Sequence, residues 1–191
     1  MKRTILNCLA ALVWLCTVTA CSSDDSIEQA AEQSVQQFEA AGVQEDMRND
    51  ALYAAEAASA SLLEVQLGEA ATGMAVSPEV KELAQEMVQA HQNMLNDLRE
   101  VATQSNFVLP TTLGNAHHEM YEQVTEKSGI TFDLAYLNQI VALNKQLVDR
   151  YEDMAEHGQV MGLKQYASKQ LPLLRRHQEI LDELQDSIDN I

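Results

Sequence analysis

Four polar residues fall on stripes that are otherwise apolar: Glu64, His91, Asn144 and His177. Glu64 stands between Ala60 and Leu67, His91 between Met87 and Met94, Asn144 between Val141 and Val148, and His177 between Leu174 and Leu181. A polar group on a buried stripe needs a partner, since an unsatisfied one costs about 1–3 kcal/mol. Two chemistries meet that need. In one, Glu64 accepts hydrogen bonds from His91 and His177, and Asn144 completes a buried polar network that fixes helix register. In the other, Glu64, His91 and His177 bind a single divalent metal such as zinc, iron or copper, with water in an open position. Ligand type alone favours the network.

Weaker constellations surround these four. Met87-x₃-His91-x₂-Met94 sets two thioethers and an imidazole on one helical face, a set that suits Cu(I), although Met on a core stripe is ordinarily packing. His117, His118 and Glu122 could meet a surface metal, but adjacent His point in different directions on a helix and read as solvated crossover residues. Glu152, Asp153, Glu156 and His157 read as a solvated helix end, and Arg175-Arg176 as too small a basic group to define an acidic partner. Di-iron carboxylate sites use Glu-x-x-His pairs. Three residues before the five His stand Val88, Gly114, Asn115, Met154 and Leu174, so no di-iron site is expected. There is no nucleophile elbow, phosphate-cradling Gly loop or dinucleotide fingerprint.

The elements that must position these residues are helices. From about Arg48 to Met74, Tyr53, Ala57, Ala60, Glu64, Leu67, Ala71 and Met74 recur at steps of three and four. Ser77-Pro78 supplies an N-cap and first-turn Pro for a second helix bearing Val80, Leu83, Met87, His91, Met94, Leu98 and Val101, which stops before Pro110. Residues 107 to 130 form a crossover with a helical turn or two around His117 to Lys127. Thr131 is the expected cap of a third helix, with Asp133 near its positive end and Gly158 closing it. The fourth begins near Gly162 and carries Leu163, Ala167, Gln170, Leu174, His177, Leu181, Leu184 and Ile188. Pro172 inside it should kink or split it. The expected fold is all-α, an antiparallel four-helix bundle whose four polar residues lie near mid-height.

The chain has 191 residues, 12 Lys+Arg and 29 Asp+Glu, a formal charge of −17. That balance argues against nucleic acid, which needs clustered basic residues. Met1-Lys2-Arg3 precedes an apolar run ending Val18-Thr19-Ala20-Cys21, the pattern of a secretory signal. The Cys after Val-Thr-Ala resembles a bacterial lipobox, which implies that Cys21 is acylated, with palmitate-type chains as the membrane anchor. Cys8 and Cys16 would leave with residues 1–20, so no thiol remains for a disulfide or a thiolate site. Losing Lys2 and Arg3 leaves 10 basic against 29 acidic residues, a charge of −19. Residues 21–47 are expected to be a polar tether of partial helicity, with a thin stripe at Ile27, Ala31, Val35 and Phe38.

Four motifs occur in order: Glu64–Gly68 (EVQLG), Ala84–His91 (AQEMVQAH), Gly129–Tyr136 (GITFDLAY) and Leu171–His177 (LPLLRRH). The set resembles a bacterial domain-of-unknown-function family of predicted outer-membrane lipoproteins with a ferritin-like helical bundle, over about residues 48 to 188. The resemblance implies a bundle over 48–191 and an envelope location, and no established activity. Family members usually carry an acidic residue where this chain has Ala90, and a third-helix His where it has Asn144. The expectation is an acylated envelope lipoprotein, binding or structural in envelope maintenance or stress response, anchored through Cys21 and meeting an envelope protein partner, rather than an enzyme. The rival is a mononuclear zinc, iron or copper bundle using Glu64, His91 and His177.

Overall fold

The computed structural model describes residues 25–43 and 46–189. The signal segment 1–20, Cys21 and the rest of 22–24 lie outside them, as does the side chain of Ile188. The described residues contain six helices and no strand: α1 (Ser26–Ala40), α2 (Arg48–Met74), α3 (Pro78–Ser105), α4 (Asn115–Thr125), α5 (Ile130–His157) and α6 (Met161–Asp189). Among the described residues no helix is long and apolar enough to cross a membrane.

Four helices of 27 to 29 residues, each ~40 Å long, form the frame. α2 packs on α3 and α5, and α6 packs on α5 and α3, which closes a ring. Helix directions follow from two buried carboxylates. Asp133, in the first turn of α5, accepts hydrogen bonds from Val76 N (3.1 Å) and Ser77 N (2.8 Å) in the α2–α3 turn. Asp50, in the first turn of α2, accepts from Gln159 N (3.0 Å) and Val160 N (2.7 Å) in the α5–α6 turn. Each helical hairpin thus ties the turn of the other, and α5 runs antiparallel to α2. Asp133 stands in the first turn of its own helix, as expected, and also satisfies orphan N–H groups of a neighbouring turn. Residues 106–129 then carry the chain back along the frame, with α4 against α2 and α5.

α2 touches α1, α3, α4 and α5, so it is buried on nearly every side rather than on the single stripe its spacing suggests. Its composition makes this possible: Ala51, Ala54, Ala55, Ala57, Ala58, Ala60 and Ala71 are all buried. Small side chains let four neighbours approach one helix. Gly68 is the closest approach, since a Cβ there would stand 2.6 Å from Val88 Cγ2 and 3.0 Å from the Ala84 carbonyl.

Three local expectations are corrected. Residues 26–40, expected within a polar tether of partial helicity, form a continuous helix packed on α2, with Ala30, Ala31, Ser34 and Phe38 buried. The stripe is thin because its partner face is small; Phe38 meets Phe107 edge-on at 5.0 Å, and Ser34 Oγ accepts from Val108 N at 2.8 Å. Asp25 caps α1 through Ile27 N (2.8 Å) and also accepts from Asn115 N of α4 (2.8 Å). Secondly, α5 begins from Gly129 at φ 58°, and Thr131 Oγ1 donates to Ser128 O instead of capping. Thirdly, of the kink or split expected at Pro172 the split does not occur, and α6 runs unbroken through it. The proline forfeits one backbone bond, and buried Leu171 and Leu174 beside it hold the helix together.

Candidate functional site

The packing brings the four polar residues to one height. Gly68 of α2 faces Ala84 and Val88 of α3. Glu64 is one turn back on α2 and His91 one turn further on α3, so the two are level. On the other hairpin, Asn144 Nδ2 donates to the Leu174 carbonyl (3.0 Å) and to Gln178 Oε1 (3.1 Å), which sets Asn144 level with His177. Between hairpins the His91 and His177 rings lie 6.0 Å apart and are tilted by 38°. The Glu86–Arg176 ion pair, at 3.5 Å, links α3 to α6 near this level.

All four are closed to solvent: Glu64, His91 and His177 are 0% exposed and Asn144 1%. The direct network expected among them is not formed. Among the described residues, neither carboxyl oxygen of Glu64 and no ring nitrogen of His91 or His177 has a hydrogen-bond partner, and Asn144 Oδ1 has none either. Each side chain comes from a different helix and stops short of the next, a separation that level alone does not reveal. The three-residue metal set is not assembled either: no group of three His, Cys, Asp or Glu side chains is placed to hold a metal among the described residues.

The electrostatics follow from burial without partners. Burial pushes the Glu64 carboxyl up to about 8 from an ordinary 4.5. It pulls His91 down to about 3 from 6.5, helped by the nearby His177. His177 is lowered as well, chiefly by burial, with Arg176 adding to the effect and Glu86 opposing it. The core at this level therefore holds neutral imidazoles and a carboxyl that retains its proton. Tyr136 joins them: its hydroxyl is buried and unpartnered among the described residues. Burial and then the charge of Glu64 hold that phenol well above its usual range. In the sequence Tyr136 stands only as the last residue of the Gly129–Tyr136 motif, without a role. The signal was a repeated Asp-x-x-Tyr, Asp50 to Tyr53 and Asp133 to Tyr136, one copy at the start of each hairpin.

Elsewhere, among the described residues, buried side-chain polar atoms are matched except the Tyr53 hydroxyl. A cleft of about 370 Å³ between α1, α2, α4 and α5 is lined by Glu56, His117, Gln146, Arg150 and Tyr151. There Arg150 bonds Glu56 (2.9 Å) and Asp153 (3.1 Å) and lies over the Tyr53 ring. His117, expected to be solvated, is half-buried, and its Nδ1 shares a hydrogen bond with Ser59 Oγ at 2.7 Å. Ser59 Oγ in turn accepts from Gly114 N. His118 stays outside with Glu122 at 3.6 Å. Arg175 pairs with Glu152 at 2.8 Å and Asp153 with His157 at 3.1 Å, so these charges serve the helix surface.

Against known families, residues 33–184 match the domain of unknown function DUF4142. The chain belongs to this family. No curated protein and no solved structure matches it. The matched span of this DUF4142 chain begins inside α1 and ends within α6, so it takes in the whole interior cluster and all six helices at least in part.

Proposed function

We propose that this chain is a lipid-anchored envelope protein whose four long helices form a ferritin-like bundle, and that it binds a small species inside that bundle rather than turning one over. The connectivity supports the ferritin-like reading, because two antiparallel hairpins joined by one long crossover are its arrangement. The basic start, apolar run and Val-Thr-Ala-Cys at 18–21 support the anchor. A role in envelope maintenance or stress response fits a binding protein held at a membrane.

The observation that carries the binding role is the set of polar atoms on Glu64, His91 and His177, unbonded among the described residues at one closed level, with the unbonded Tyr136 hydroxyl within electrostatic reach of Glu64. Every such group left alone in an apolar core costs about 1–3 kcal/mol, and hydrophobic residues of similar volume would remove that cost. Imidazole and carboxyl groups kept in such a place are suited to hold a guest. The test compares thermal unfolding of the purified protein, with and without added zinc, iron and copper salts, alongside metal analysis after desalting. A bound ion at 100-fold its dissociation constant should add about 2.7 kcal/mol of stability. An unbound protein that becomes more stable as His91→Leu and His177→Leu would reduce the cluster to a structural liability.

A further inference from the structure

We propose that His91 and His177, with the thioethers of Met87 and Met94, hold a single monovalent copper ion. This rests on the reading of the interior as a binding site and names its occupant.

The two imidazoles are the only paired, unbonded donors on facing helices at that level among the described residues. An ion bonding one nitrogen of each ring at ~2.0 Å holds the ring centres roughly 5–6.5 Å apart. The observed separation is 6.0 Å. Met87 and Met94 stand four residues before and three after His91, on the same face, and are 0% and 1% exposed. The donor set is therefore two neutral imidazoles and two thioethers, soft enough to select Cu(I). Zinc prefers four ligands, and no trio of His, Cys, Asp or Glu is assembled here.

Charge points the same way. Glu64 is the one carboxyl buried at this level; the other buried carboxyls, Asp50 and Asp133, belong to the turns at the two ends. A monovalent ion that enters as Glu64 gives up its proton to solvent leaves no net charge in the core. A divalent ion would leave one uncompensated positive charge, which a buried site tolerates poorly.

The experiment uses the full chain in detergent under anaerobic, reducing conditions, with Cu(I) supplied against the chelator bicinchoninate, and Zn(II) and Fe(II) in parallel. One Cu(I) per chain is expected, with nitrogen and sulfur neighbours in X-ray absorption. His91→Phe and His177→Phe should each weaken binding by more than the roughly 100-fold attached to an outer-sphere partner. Met87→Leu and Met94→Leu preserve volume and should fold normally by circular dichroism, yet each should lose about tenfold in copper affinity. Unchanged copper affinity in both methionine variants would overturn the assignment. Preferential Zn(II) or Fe(II) binding that depends on His91 and His177 would overturn copper while upholding the interior as a binding site. Binding of none of the three would remove both.

Discussion

Around neutral pH the interior holds a carboxyl that keeps its proton and two imidazoles that do not take one. The consequences for stability have opposite signs. Glu64 has a folded pKa of about 8 against an ordinary 4.5, so the folded state binds more protons across that window. Stability from this group is full below pH 4.5 and falls as pH rises to 8, by roughly 5 kcal/mol at most. His91 has a folded pKa of about 3 against 6.5, so the unfolded state binds the extra proton, and stability falls as pH drops from 6.5 toward 3. Between 4.5 and 6.5 the two oppose each other. Urea unfolding should therefore show greatest stability near the upper part of that interval, with losses toward both pH 3 and pH 8. Glu64→Gln should abolish the loss between pH 6.5 and 8 and leave the acid side intact; a variant that still weakens over that range would contradict this origin. The types and heights of Glu64, His91, Asn144 and His177 were readable from periodicity. That their side chains form no hydrogen bond with one another among the described residues was not, because a level is known to about one turn while a hydrogen bond needs an ångström.

Helix boundaries were the most legible elements, since Ser77-Pro78, Gly158 and the three-and-four spacing each carry a local physical signal. What joins the helices was hidden in ordinary-looking residues. Asp50 and Asp133 each accept two backbone N–H groups of the opposite turn. Replacing either by Ala strands those donors and should cost about 2–4 kcal/mol by urea unfolding. Asp153→Ala on the surface should cost under about 1 kcal/mol, although its carboxylate also has two partners. If all three variants lost equally, the turns would not be held this way. Pro172 is exposed and sits within an unbroken helix. Pro172→Ala restores a donor toward the Ser168 carbonyl and should stabilise the protein by about 1–3 kcal/mol, read as a higher unfolding midpoint. α1 escaped recognition because Ala30, Ala31 and Ser34 bury little area each and their partner is the Ala-rich back of α2.

At the scale of the molecule, α1 is a structural member, and its contribution is measurable. Phe38→Ala removes one ring of the Phe38–Phe107 contact and should cost about 3 kcal/mol in thermal or urea unfolding; a change below about 0.5 kcal/mol would mean that α1 is detached in solution. The pinning of Asp25 to α4 also decides how far the body can stand from a membrane. With a lipid on Cys21, four residue steps join the anchor to Asp25, a reach of ~14 Å when fully extended. A free tether as far as Met47 would allow ~90 Å. Were Cys21 so anchored, the molecule would lie with the edge formed by α1 and α4, where Asp25 meets Asn115, nearest the lipid. It could then sample only what diffuses along that one surface, and could not bridge to a partner across a wide compartment.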